Sequence, residues 1–439
     1  MKLSRRAWLG GLIAGPVSTA FAAGAWAAPV LSPNNYGLAA QGAARRNAWL
    51  EIDAEQFEAN IQALEDLLEP DPGRAEICLV MKADAYGHGI DLLMPSIMKA
   101  RIRCVGIASN DEARIVRDKR FGYAGRILRL RAAAPDEIMD GVDFDIEELV
   151  GNRDEAAMMA DIGSRGPAPL RVHFALNSAG MSRNGLELST EEGRRDALAI
   201  LRMSHLQVVG LMTHYPEENA VDVRARLQAF NADVQWILDH APPGAFDHSR
   251  LARHSANSYA ALNVPASRLS MVRVGGAVYG DTDPRFAQFR RIMTLKSRVA
   301  SVNHYPRGDT VSYDRTFQLQ RDSWLANIPI GYSDGYRRVF SHANTPAFAE
   351  EGRAQAQMLI GGARAPVVGR VTMNTVMVDV TDLPVKPRIG DEVVLYGKQG
   401  GDEITQAELE RAARTYGGDF YTVWGNALPK MLKPRAEAL

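Results

Sequence analysis

ICLVMKADAYGHG, residues 77–89, ends an apolar run on a charge and follows it with small, turn-forming residues. ICLVMK (77–82) reads as a buried strand closed by Lys82, with Tyr86 four residues on and Gly87-His88-Gly89 in the next turn. A strand of this kind, apolar on both faces, belongs in a parallel sheet covered by helices. Lys82 then sits at the strand's carboxyl end, where open and closed α/β folds gather their chemistry.

Seven more apolar runs follow: RCVGIAS (103–109), GRILRL (125–130), VDFDI (142–146), LRVHFAL (170–176), LQVVGLM (206–212), LARHSA (251–256) and LSMVRV (269–274). Helix-like stretches such as DEARIVRDKR separate them. This alternation predicts an α/β fold, a (β/α)8 barrel over 47–290. An open doubly wound sheet is the competing architecture. After Phe289 the texture changes to β-rich runs such as MTLKSRVASVNHY and APVVGRVTMNTVMVDV, broken by Gly, Pro and Asp. They predict a mostly antiparallel β domain over 291–439.

The 439 residues carry a net charge of -1 and 46% hydrophobic residues, so nothing in the composition favours a nucleic-acid or anionic-membrane partner. The start is distinct. Lys2, Arg5 and Arg6 precede an apolar run, and no charge appears until Arg45. Residues 1–28 read as a secretory signal, with Ala-x-Ala sites ending at Ala22 and Ala27, and 29–46 as a linker. Ser4-Arg5-Arg6 also fits a twin-arginine signal, and both export routes stay open. The expected location is the periplasm, with no membrane segment in the mature chain.

Export bears on the two cysteines, Cys78 and Cys104. They lie near the starts of consecutive parallel strands, which run about 4.8 Å apart. A disulfide needs Cα atoms roughly 4.4–6.8 Å apart. The expectation is a Cys78–Cys104 bridge, with two buried thiols as the alternative.

Read at the strand ends, the barrel mouth collects Lys82, Asn177, Arg183, His214, Asn257, Ser258, Arg273, Gly275 and Gly276. The loops after strands seven and eight are the usual phosphate site of such barrels, and Ser258 with Gly275-Gly276 suits one. A desolvated lysine near other cations has a lowered pKa and forms Schiff bases. Lysine and phosphate cradle together meet the needs of pyridoxal 5′-phosphate. Taken singly, Lys82 and Arg273 read equally as solvated cations, and His214 as a core histidine. No metal site is expected.

With these residues in view, VMKADAYGHG resembles the cofactor-lysine motif of alanine racemases. MSRNG, GLMTHY, HSANS, VRVGGAVYG, VSYDRT, IPIGYSDGY and GRVTMNT are similar to further motifs of that family, in the same order. The resemblance runs from about Asn47 to Lys430. It implies a head-to-tail homodimer acting on free amino acids, with the strand NAWLEID (47–53) joining the C-terminal domain. It further implies that Lys82 holds the cofactor, that Tyr86, Ser258, Gly275 and Gly276 bind its phosphate, and that Arg273 faces the pyridine nitrogen. Asn257 and His214 would neighbour it. Arg183 would engage the substrate carboxylate. Tyr313 would be the second base, with Tyr332 and Met373 lining the substrate site, all three from the other subunit.

Three departures from the family pattern stand out. HFALNSAG lacks the lysine, often carbamylated, that usually supports the arginine at Arg183; a chloride near Asn177 and Arg183 is the expected substitute. Pro429 falls where the family's entry-gate tyrosine is expected. Asn374 replaces an aspartate. With the signal, these features resemble periplasmic broad-specificity amino-acid racemases. A strict alanine racemase, a basic amino-acid decarboxylase and a non-catalytic exported binding protein are the alternatives; retention of both Lys82 and Tyr313 argues against the last.

Overall fold

The computed structural model describes residues 47–69 and 75–434. The signal and linker expected over 1–46 lie outside the described residues. Strand β1 (Ala48–Ile52) leads into a helix, Ala54–Leu68. Eight parallel strands follow: β2 (Glu76–Val80), β3 (Cys104–Ile107), β4 (Arg126–Arg129), β5 (Ile146–Val150), β6 (Leu170–Ala175), β7 (Leu206–Met212), β8 (Ala252–His254) and β9 (Met271–Val274). They pair in the order β8-β7-β6-β5-β4-β3-β2-β9. The ends β8 and β9 are tied by backbone bonds, Arg273 N–H to Ala256 O at 2.9 Å and Ser270 N–H to Arg253 O at 3.1 Å. The barrel is therefore nearly closed, and the open sheet is excluded.

Alternation along each strand decides what faces inward. Leu79, Val272 and Val274 point out into one hydrophobic cluster, while Cys78, Cys104, Leu128, Leu149, Ala175, Met212 and Met271 pack together in the interior. Seven of the eight expected strands overlap the observed ones. The fourth touches its strand only at Ile146: Val142–Phe144 form a short 3-10 turn, and the strand is Ile146–Val150. Glu147 and Glu148 make that segment look polar, but both carboxylates are buried and paired, Glu147 with Arg126 at 2.9 Å and Glu148 with Arg129 at 2.7 Å.

The bridge expected between Cys78 and Cys104 is not formed; both are free, buried thiols. Their strands are registered with Cys78 directly opposite Cys104. Each thiol fills its place in the interior layer, and their mutual hydrogen bond, with burial, raises the Cys104 pKa.

The second region is a large, mostly antiparallel sheet. Its strands run in the order 301–305, 323–328, 376–379, 363–368, 357–360, 392–399, 293–298, β1 and 430–432. β1 pairs antiparallel with Met293–Arg298 and parallel with Lys430–Leu432, so the chain's first described strand belongs to this sheet. Among the described residues no helix is long and apolar enough to cross a membrane, and no cluster of His, Cys, Asp or Glu is arranged to hold a metal ion.

Candidate active site

Lys82 stands two residues beyond β2, where Met81 N–H still bonds Gly106 O of β3 at 2.7 Å. The chain then makes a left-handed turn: Ala83, Asp84, Ala85 and Tyr86 have φ of 55°, 53°, 55° and 56°. Left-handed geometry costs a non-glycine residue roughly 1–2 kcal/mol, so this turn persists only because its surroundings hold it. Glu112 accepts from Asp84 N–H, and Asp84 accepts from Ile90 N–H at 2.8 Å and pairs with Lys430 at 2.8 Å. Gly87 is pressed on the helix Gly418–Ala427, where a Cβ would lie 2.3 Å from Tyr421 O. The turn brings the Tyr86 ring back toward the strand end, 4.9 Å from the Tyr279 ring, and the Tyr279 hydroxyl donates to Val80 O at 2.9 Å.

A cavity of about 270 Å³ opens at this end of the barrel. Its lining includes Lys82, Tyr86, Arg183, His214, Asn257, Ser258, Arg273, Gly275 and Gly276, and of the residues expected at the barrel mouth only Asn177 is outside it. At one end Ser258 Oγ lies 3.3 Å from Gly275 N and 3.2 Å from Ala277 N. A Cβ on Gly275 would lie 2.5 Å from the Tyr86 hydroxyl. The hydroxyls of Tyr86 and Ser258 and bare backbone thus share one small cradle.

At the other end Arg273 is buried and held on several sides. Its guanidinium donates to His254 Nδ1 and Thr213 O, each at 2.8 Å, and lies 3.2 Å from His214 Nδ1. Burial pushes its pKa down to about 10. Burial, then Arg273, Arg183 and Lys82, push His214 down to about 3, so its ring is neutral. Lys82 is lowered by burial, then by Arg183 and Arg273. Crowded cations therefore favour a neutral, nucleophilic lysine amine.

Tyr313, Tyr332 and Met373 are not in this cavity. They sit on the β domain, 69%, 42% and 54% exposed. Tyr313 lines a separate hollow with Ser312 and Thr372, and the flanking Ser312, Asp314 and Arg315 are all left-handed. Arg370 pairs with Asp314 at 2.7 Å and fixes that turn to the loop carrying Met373, between the strands 363–368 and 376–379. Pro429 is likewise outside the cavity lining; its carbonyl accepts from Leu50 N–H at 2.9 Å. The C-terminal segment instead places Tyr416 at the rim, its hydroxyl 2.8 Å from Asp281. Glu218, Asp281 and Asp283 also line the mouth and gave no signal in the sequence beyond being acidic loop residues. Asn177 bonds Glu187 at 2.7 Å and Ser182 N–H at 2.8 Å.

A parallel barrel with a pKa-lowered lysine facing a Ser/Gly phosphate cradle defines a barrel-type pyridoxal-phosphate enzyme. Models of the alanine racemase N-terminal and C-terminal domains match residues 52–283 and 292–432, and the chain belongs to the alanine racemase family. A broad specificity amino-acid racemase of Aeromonas hydrophila subsp. hydrophila is 51% identical over 388 residues, covering 88% of this chain and 90% of that protein. One of Pseudomonas taetrolens is 50% identical, covering 93% and 95%. The alanine racemase of a D-cycloserine-producing Streptomyces lavendulae superposes with a TM-score of 0.75 at 26% identity, covering 89% of this chain and 98% of that one. The protein is an amino-acid racemase, and its cofactor is pyridoxal 5′-phosphate. The cradle fits that group, since its donors would meet a phosphate while Lys82 meets the carbonyl end.

Proposed function

We propose that the chain is an exported, broad-specificity racemase that interconverts L- and D-amino acids with two bases, Lys82 and the partner's Tyr313. When bound, the cofactor supplies electron withdrawal that acidifies the substrate Cα–H. Lys82 takes or returns a proton on one face of Cα, and the tyrosine hydroxyl does so on the other. Arg183 holds the substrate carboxylate at the mouth. Arg273, as a fixed donor, disfavours a proton on the pyridine nitrogen, which limits carbanion lifetime and side reactions. Tyr86, Ser258 and the Gly275-Gly276 backbone hold the phosphate.

One observation carries this reading: Lys82 lies in a complete cofactor cradle, whereas Tyr313, Tyr332 and Met373 lie exposed and together on another domain. A head-to-tail homodimer, the common assembly of the family, supplies the second base to each barrel. Broad specificity is supported by the names of the relatives at half identity or more and by the absence of the supporting lysine in HFALNSAG. A chloride beside Arg183 is part of the proposal, although Glu187 already occupies the Asn177 amide. Export rests on the basic start and uncharged run before Arg45 and implies a supply of periplasmic D-amino acids for the cell wall. Oxidation of Cys78 and Cys104 to a disulfide would follow export. The deciding experiment is a kcat/KM panel of alanine, lysine, arginine and methionine; activity confined to alanine makes the protein a strict alanine racemase.

A further inference from the structure

The barrel interior contains a continuous polar column. Glu76 pairs with Arg126 at 2.7 Å, and Arg126 grips Glu147 through two nitrogens at 2.9–3.1 Å. Glu147 Oε2 lies 2.9 Å from His173 Nε2, His173 Nδ1 lies 2.8 Å from His254 Nε2, and His254 Nδ1 lies 2.8 Å from Arg273 Nη1. Glu147, both histidines and Arg273 are buried. The neighbouring strand makes room for this column. β7 carries an irregularity where His173 comes to face Gly210, and a Cβ on Gly210 would lie 2.0 Å from His173 Nδ1.

The chemistry of the two ends dictates the protons between them. Arginine only donates, and an ionised carboxylate only accepts. Burial opposes ionisation of Glu147, but hydrogen bonds from His173 and Arg126 overcome it and hold its pKa near 2. Both histidines are driven below their usual pKa, chiefly by burial. Between a donor-only and an acceptor-only end, two neutral histidines have one arrangement: Nε2–H on each. All bonds then point from Arg273 toward Glu147.

We infer that Glu147 and His173 are positioning residues for Arg273: they fix the tautomer of His254, so that its Nδ1 always accepts from the guanidinium. The inference rests on the reading in which Arg273 faces the cofactor ring. An amide in place of Glu147 removes the constraint. Arg126 would take the amide oxygen, and the amide NH2 would face His173. Reversing both histidines would then set His254 Nδ1–H against Arg273, donor against donor.

Neutron diffraction of the holoenzyme reads the protons directly. Deuterons on Nε2 of His173 and His254 are expected in the wild type, and on Nδ1 in Glu147→Gln. A wild-type deuteron on either Nδ1 overturns the inference without any variant. The second measurement is the partition between racemisation and abortive transamination of alanine, which yields pyruvate and the pyridoxamine form of the cofactor. This ratio is expected to shift roughly tenfold toward transamination in Glu147→Gln and to return in Glu147→Asp. Arg273→Gln is run in parallel. If it shifts the partition and Glu147→Gln does not, the positioning role is wrong. If Arg273→Gln leaves the partition unchanged, the reading of Arg273 itself falls.

Discussion

Lys430 Nζ lies 2.8 Å from Asp84 Oδ2, so a strand of the β domain holds the left-handed turn that follows the cofactor lysine. Asp84 also caps Ile90 N–H, and the Lys430 ammonium donates as well to Gly425 O. Asp84→Ala removes both functions from a partly buried site. The expected loss of stability is about 2 kcal/mol, read from the denaturant midpoint. Cofactor affinity should fall with it, because Tyr86 is carried on that turn. An unchanged midpoint would show that the turn holds itself.

Lys82→Ala should abolish racemisation and the visible absorption band of the lysine-bound cofactor. The cradle of Tyr86, Ser258 and Gly275 remains, so the variant should still bind the cofactor reversibly, measured by equilibrium dialysis. Wild-type turnover in this variant would remove Lys82 from the chemistry.

Tyr313→Phe tests the division of labour between faces. Enantiomers have equal free energies, so net kcat/KM must fall equally in both directions. Deuterium wash-in from D2O, followed separately from each enantiomer, should nevertheless fall unequally. Undiminished, equal wash-in from both would exclude Tyr313 as a base.

Acid should destabilise the fold through its buried histidines. Burial lowers His88 to about 4 and His214 to about 3, against an ordinary value near 6.5. Between about pH 6.5 and 4 the unfolded chain binds protons at these positions that the folded chain refuses, so stability rises with pH there. Each such histidine contributes a slope of up to about 1.4 kcal/mol per pH unit. Urea midpoints at successive pH values measure it, and His214→Gln should flatten the slope. Below that window Glu147, held near 2, adds its own loss as pH falls from its unfolded value toward 2.

Cys78 and Cys104 are in register and share one interior layer, so an oxidising compartment can join them with little chain movement. Their bridge would close a loop from 78 to 104, worth roughly 3–4 kcal/mol in the chain-entropy model. Protein recovered from the periplasm, unfolded and alkylated without reductant, should carry no alkyl groups by intact mass. Two alkyl groups would mean that the free thiols persist after export.

Much of the barrel was legible because its strands are apolar on both faces and end on polar groups. β5 was not, because a carboxylate reads as exposed until its buried arginine is known, and Arg126 lies 21 residues from Glu147. The cradle was legible from Ser258 and the paired glycines, whose freedom is visible in the letters. Tyr416 was hidden because its place at the mouth depends on how the C-terminal helix packs on Gly87. The left-handed run from Ala83 to Tyr86 could not be read either, since alanine carries no sign of it. The histidine column was hidden for a related reason: His173 and His254 are 81 residues apart and meet only inside a nearly closed barrel.

The separation of Lys82 and Tyr313 within one chain has a consequence for inheritance. Under the proposed sharing, the working unit is assembled from two copies of the gene product. A chain lacking Lys82 still donates a sound tyrosine, and a chain lacking Tyr313 still offers a sound barrel. A cell carrying both defective alleles would form mixed pairs in which one mouth is doubly damaged and the other is whole. Two recessive lesions would then restore each other's phenotype without recombination.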